Sequence, residues 1–351
     1  MRVRPGTSWP RGRIERLEHR SEILRDNPWG DPSVRELCVY LPPDYDESGA
    51  PLIALWDLAA FTNAGPGHLN WRHHGENLPQ RLDRLIAQQD IPQVIVAMPD
   101  CFTSLGGNQY VDSPAVGNYA SYLVEELVPL LSRHFNVGSE ACDRGVFGKS
   151  SGGYGALTLA MRYPGLFGAV AAHAADCGFE WVYRPEFPLA ATRLQMAGGD
   201  YDKFLSQFWR ARKRGKPDYA ALLVLAMAAT YDPDPEKPQA LRLPFRLHDC
   251  EMLEQRWERW LEHDPLNMVE KHADALAGLH ELYIDVGSHD EYNIQYGTRK
   301  LTAKLEKLGV DHHFEEFEGG HLGLDWRLDF SLPLITEGLA GARAARGNTD
   351  D

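Results

Sequence analysis

Long apolar runs are missing from this 351-residue chain. None approaches the roughly 20 residues a helix needs to cross a bilayer, which argues against a membrane role. Cysteine is scarce. The five residues (Cys38, Cys101, Cys142, Cys177 and Cys250) are scattered, odd in number and without a C-x-x-C pair. That pattern excludes a disulfide framework or zinc ribbon and suits reduced thiols in a cytoplasm. Positive charge is also short: 36 Lys and Arg face 50 Asp and Glu, a formal charge of −14. Most of the surface would therefore repel a nucleic acid or an anionic membrane. The one basic run, RARKRGK at Arg210 to Lys216, reads as a solvated helix end. The P-loop and dinucleotide fingerprints and the H-E-x-x-H motif are missing too, so no cofactor and no metal are expected. His68, His73 and His74 lie close together in HLNWRHH, but with no acidic ligand at useful spacing they read as helix or loop polar contacts. The segment MRVRPGTSWPRGRIERLEHR is charged with no apolar run behind it and does not read as a secretory signal.

What is present is ordinary globular material. Hydrophobic residues make up 43% and charged residues 25%, enough to bury a sizeable core. The length suits one large domain with an insertion. Residues 13–24 and 34–41 read as strands joined by the turn RDNPWGDP. PLIALWDL and QVIVAMPD are short apolar runs of the kind buried on both sheet faces, with a helical period over 78–87 between them. Residues 119–135 form an amphipathic helix with Leu123, Leu127, Leu130 and Leu131 on one side. RGVFGKS (strand), GGYGALTLAMRYP (helix) and GAVAAHAAD (strand) follow; ELYIDVG, EYNIQYGTRKLTAKLEKLG and HHFEEFEG resume the alternation, before a final helical stretch. The implied fold is α/β, a mostly parallel central sheet with helices on both faces. Between 176 and 282 the rhythm breaks. Helical patterns at 201–213, 219–229 and 251–263, with proline-rich YDPDPEKPQ before the third, read as a mainly helical insertion or lid. The expected division is a core of residues 1–180 and 276–351 and an insertion of 181–275.

The stretch GKSSGGYGAL holds two serines, and the frame G-x-S-x-G selects Ser150, flanked by Gly148 and Gly152. Centred on Ser151, the frame would put Lys149 where the first glycine belongs. The spacing matters because the serine occupies a sharp strand-to-helix turn, and glycines let neighbouring backbone approach. The helix N-terminus behind it favours developing negative charge. A serine hydroxyl also needs a base oriented by a carboxylate, in the chain order serine, acid, histidine. LYIDVGSHDEYN places Asp285 inside a strand, as a buried structural residue, and Asp290 in the loop beyond it. Asp290 is the preferred acid, ahead of Glu291. His321, after Gly319-Gly320 at the far end of the next strand, is the preferred base. His312 and His313 begin that strand, and His289 reads as a rim or surface residue. The oxyanion needs two N–H donors: Ser151, and Leu58 or its neighbour Ala59 after PLIALWDL.

With these residues assembled, the chain resembles the esterase D family of α/β-hydrolases, which includes S-formylglutathione hydrolases, feruloyl esterases and enterochelin esterases. GKSSGGYGAL keeps every glycine, the serine and the Ala-Leu of the family's nucleophile region. Pro99-Asp100 with its following loop, GNYASYLVEELVPLLSRHF, DVGSHDEYN and EGGHLGLDW resemble the family's other segments. The resemblance implies an α/β-hydrolase fold, Ser150 as nucleophile, Asp290 as acid and His321 as base. Lys149 and Ser151 depart from the common His and Met, and LWDLAAF lacks the usual His-Gly.

The expected activity is carboxylic ester hydrolysis through an acyl-enzyme, on a small-molecule ester. An acyltransferase, a peptidase of the same fold and a non-catalytic binding protein are the alternatives, and a homo-oligomer is left open. Asp176 or Glu180 after the sixth strand could contact substrate or fix the insertion by hydrogen bonding. Phe208, Trp209, Trp257 and Trp260 read as packing within the insertion or across a subunit contact, with an acyl pocket as the alternative.

Overall fold

The structure is a computed structural model describing residues 9–234, 236–237 and 240–347. Residues 1–8 of the charged N-terminal segment, and 235, 238 and 239 of the proline-rich stretch, lie outside the described residues. The mostly charged stretch RIERLEHR makes β1 (Arg13–Arg20), a half-exposed strand paired antiparallel with β2 (Val34–Leu41). The apolar runs become β3 (Ile53–Leu58) and β4 (Val94–Pro99), every residue buried. They are followed by β5 (Arg144–Lys149), β6 (Ala169–His173), β7 (Glu281–Gly287) and β8 (His313–Phe317). Together they form one sheet in the order β1-β2-β4-β3-β5-β6-β7-β8, parallel except where β2 meets β1 and β4. The connection from β3 runs to β4 on one side and that from β5 to β6 on the other, which opens a crevice at the carboxyl ends of β3 and β5.

Helices cover both faces. Over residues 119–134 the backbone is helical, its middle turn (Tyr122–Leu127) widened to a π-helix, and the four leucines of its expected apolar side are all buried. That helix packs in one cluster with α2 (Ser151–Arg162) and α8 (Ile294–Leu308), after α1 (Leu78–Ala87) has covered the other face with α9 (Leu328–Gly347). The insertion is helical: α3 (Phe187–Met196), α4 (Tyr201–Arg210), α5 (Lys216–Tyr231) and α6 (Glu254–Leu261), with short turns, and then α7 (Ala273–Ala277).

Some details differ from the sequence reading. The first strand stops at Arg20 because Ser33 takes the Ser21 N–H and the Ser21 hydroxyl accepts from Leu24 N, closing a turn. Helix α3 was not expected; two of its four buried positions, Ala190 and Ala191, are alanines that weigh little in an apolar pattern. Helix α4 ends at Arg210, where Arg214 folds back to donate to the Phe208 carbonyl at 2.8 Å. Phe208, Trp257 and Trp260 are buried within the insertion, whereas Trp209 is partly exposed and donates to the Ser104 carbonyl at 2.9 Å.

Asp285 is the buried structural residue its position implied. Its carboxylate faces His173 Nδ1 at 2.9 Å, Arg327 Nε at 2.7 Å and the Tyr283 hydroxyl at 3.0 Å. Burial pushes this carboxyl up, but His173 and Arg327 outweigh it and hold the pKa below its ordinary value. The stabilisation it contributes is therefore present above the unfolded carboxylate range near ~3.9 and lost as pH falls through the lower folded value. Replacing Arg327 with Met should leave the carboxylate buried and short of its partner, lowering stability by about 3–5 kcal/mol in urea unfolding at neutral pH. The deficit should shrink on acidification.

Candidate active site

The chain leaves β5 at Lys149 and enters α2 at Ser151, so one residue, Ser150, makes the corner. It does so at φ 56° and ψ −123°, a conformation that costs an L-residue about 1–3 kcal/mol. Space around it is as tight as the glycine pattern implied. A Cβ on Gly148 would overlap the Gly152 backbone, and one on Gly152 would overlap the Leu58 carbonyl. One on Gly153 would sit 2.9 Å from the His173 carbonyl oxygen. The ends of β3, β5 and β6 thus close on the first turn of α2, and the Ser150 N–H is held by the His173 carbonyl at 2.9 Å.

The expected acid and base lie beyond β7 and β8. Asp290 follows β7 and His321 follows β8; both are buried, with His321 Nδ1 2.7 Å from Asp290 Oδ2. The other Asp290 oxygen accepts the Tyr292 N–H at 2.8 Å, which fixes the carboxylate plane. Glu291, weighed as an alternative acid, instead takes the backbone N–H of His321 at 2.5 Å. Gly320 makes room for it, since a Cβ there would meet the Glu291 carboxylate at 2.7 Å. The Tyr292 ring packs edge-on against the imidazole, centroids 4.9 Å apart. With Nδ1 engaged, Nε2 is the free ring nitrogen; among the described residues it has no hydrogen-bond partner. His289 is exposed, and His313 stacks on Tyr283.

The Ser150 hydroxyl is turned toward another group. It donates to Asp176 Oδ1 at 3.2 Å, and Ser151 donates to Oδ2 at 3.2 Å. Gln109 Nε2 (2.9 Å) and the Tyr183 hydroxyl (2.8 Å) also donate to Oδ2. Burial raises the Asp176 pKa, and its hydrogen-bond donors and His321 recover only part of that shift. Asp176 was weighed from the sequence, but Gln109 and Tyr183 were not. Nothing local marks them, because they reach the site from a polar loop and from the edge of the insertion. Glu180 holds the insertion together, accepting from Trp257 Nε1 at 2.8 Å and Arg184 at 2.8 Å.

A model of the Esterase family, described as "Putative esterase", matches residues 33–336, most of the chain. The chain belongs to that family. Its curated relatives include S-formylglutathione hydrolase of Mus musculus, 30% identical over 148 residues (40% of this chain, 51% of that protein). Another is the uncharacterised protein YbbA of Bacillus subtilis, 26% identical over 158 residues (42% of this chain, 58% of that protein). The aligned part spans about half the length of these curated relatives. Among solved structures, a ferulic acid esterase superposes with a TM-score of 0.60 at 18% identity, over 94% of this chain and all of that one, a likeness of fold.

Against the family's pattern, the two departures flanking Ser150 have distinct surroundings. Ser151 turns its hydroxyl to Asp176, whereas Lys149 lines a cavity of about 80 Å³ with Asp57, His68, His173 and Asp325. His68 is paired there with Asp57, whose charge outweighs burial and raises the imidazole pKa. Leu58 lies in the ladder opposite Gly148, and Ala59 is the first residue past it, its carbonyl taken by the Tyr110 hydroxyl at 2.6 Å. The strain at the corner is measurable. Ser150→Gly should unfold at higher denaturant than Ser150→Ala, by about 1–2 kcal/mol, because only glycine relieves the backbone. Equal stabilities would show that the corner is relaxed.

Proposed function

We propose that this member of the esterase family hydrolyses carboxylic esters of small molecules through an acyl-enzyme on Ser150. The observation carrying the proposal is the buried His321–Asp290 pair at 2.7 Å, delivered by the two strand ends following the nucleophile turn. Ser150 Oγ attacks the ester carbonyl carbon while its proton passes to His321 Nε2. For this the hydroxyl turns from Asp176 to the imidazole, a side-chain rotation of the kind that separates resting from reacting geometry. Asp290 holds the ring tautomer and offsets the imidazolium charge. The carbonyl oxygen, now negative, is met by the Ser151 N–H at the start of α2 and a second amide after β3. Of the two candidates, Ala59 is favoured over Leu58, because Leu58 is within the strand ladder.

When the tetrahedral centre collapses, the C–O bond to the alcohol breaks and His321 gives that oxygen its proton. Water then attacks the acyl carbon, losing a proton to His321, which returns it to Ser150 as the acid leaves. Electrons stay paired throughout, so the cycle calls for no redox partner. The five cysteines are free thiols, four of them buried, which supports a reducing compartment such as the cytoplasm.

Ser150→Ala should fold and lose turnover of p-nitrophenyl acetate and labelling by a fluorophosphonate probe. Asp290→Asn should lower kcat by about 10⁴ with little change in melting, because the amide stabilises the wrong imidazole tautomer. Wild-type activity surviving in Ser150→Ala would reject the reading.

A further inference from the structure

A buried carboxyl group in contact with the nucleophile creates a difficulty for the reaction just proposed. Asp176 Oδ2 is served by three donors, but Oδ1 has one among the described residues, the hydroxyl of Ser150. Once Ser150 is esterified that hydrogen is gone, and Oδ1 is left without a donor. Four donors converging on one group oppose the burial that raises its pKa, and in its ionised form it would oppose the negative charge that develops on the neighbouring carbonyl oxygen. The substrate must bring something to offset both effects.

The surroundings indicate its charge. Asp290 and Glu291 both contact His321, and Asp176 contacts Ser150, so three carboxylates stand against the reacting residues. Glu186 has the exposed Lys216 3.6 Å away. Beside Asp176, the buried Gln109 Oε1 has no hydrogen-bond partner among the described residues, although the same amide donates to Asp176 through Nε2. Gln109 and Tyr110 both hold left-handed backbone, φ 56° and 55°, so strain is sustained to keep this amide in place. An oxygen short of a donor, a carboxylate about to lose one and an excess of negative charge all fit a group with several N–H donors and a positive charge.

Resting on the esterase reading, we infer that Asp176 is a specificity-determining residue that binds an ammonium group on the carbon next to the scissile carbonyl, making α-amino acyl esters the favoured substrates. Position follows by elimination. The carbonyl oxygen faces the Ser151 N–H and the leaving oxygen faces His321, leaving the acyl substituent toward Asp176. A nitrogen on that carbon lies about 3 Å from Oγ by standard bond lengths, and Asp176 Oδ1 lies 3.2 Å from Oγ in the resting rotamer, so both belong to the same neighbourhood of the nucleophile. The ammonium then takes over the donor role that the hydroxyl gives up.

The test uses methyl alaninate, methyl isobutyrate and methyl lactate, which place NH₃⁺, CH₃ or OH at one position. They are assayed at about pH 6, below the α-amino range, with each kcat/KM divided by the ester's hydroxide-catalysed rate. The corrected preference for alaninate over isobutyrate should be about tenfold or more, lactate should fall between, and Asp176→Asn should collapse the alaninate preference toward one. Moving the ammonium to the alcohol, in 2-aminoethyl isobutyrate, should gain nothing. A corrected preference near one in the wild type, or one that survives in Asp176→Asn, overturns the inference; so does an equal preference for lactate, which would remove the role of charge. Fluorophosphonate labelling of Ser150 keeps the two readings apart. Labelled protein that hydrolyses isobutyrate without favouring alaninate defeats this inference alone, whereas unlabelled wild type that hydrolyses none of the esters defeats the esterase reading. Should Asp176→Asn fail to fold, the wild-type ester comparison still decides.

Discussion

One residue, Ser150, turns the chain from strand to helix within a single φ/ψ pair, and the rest of the site is arranged around that corner. The turn is possible only because Gly148, Gly152 and Gly153 admit the carbonyls of Leu58 and His173 and the first turn of α2 to distances that no Cβ would allow. The same closeness puts the end of β3 against the helix start. Strain at Ser150 and the close approach of β3 to the helix are therefore consequences of one packing constraint. A looser corner would lose both.

The two aspartates of β7 and its loop show how environment separates similar groups. Asp285 lies in the ladder beside β6 and meets Arg327, His173 and Tyr283, so its charge is neutralised inside the fold. Asp290 is five residues further on, past the strand end, where its partner is His321 at the mouth of the sheet. Both carboxylates are buried and both face an imidazole. Position relative to the strand end distinguishes the one that stabilises the fold from the one to which the proposed mechanism gives a part in proton transfer. Glu291 completes the arrangement by fixing the backbone of His321, a positioning role that reaches the chemistry through another residue.

The insertion contributes more than a cover. Tyr183 extends from its first turn, and with Gln109 from the loop after β4 it holds Asp176 against the nucleophile. Tyr231 at the end of α5 is also within 3.2 Å of Gln109 Nε2, so the helical layer is tied to the reacting centre through a buried polar network. Such networks are sensitive to the loss of any member, because each polar group was desolvated in the expectation of its partners. The network thus joins residues separated by more than a hundred positions.

Much of this could be read from residue order alone. Strand–helix alternation, the G-x-S-x-G turn and the positions of Asp290 and His321 after glycine-bearing strand ends were legible because each depends on local geometry: period, backbone freedom and place along a strand. The extra helix α3 and the contact of Glu291 with the His321 backbone were less so, because they depend on packing between segments. What no local pattern could announce was the contact between Asp176 and Ser150, or the partners Gln109 and Tyr183. Those side chains meet only after the sheet has set its strand order and the insertion has settled over it. Local sequence determines which groups stand at the ends of strands; tertiary structure decides which of them face one another, because hydrogen bonding and charge act across space rather than along the chain.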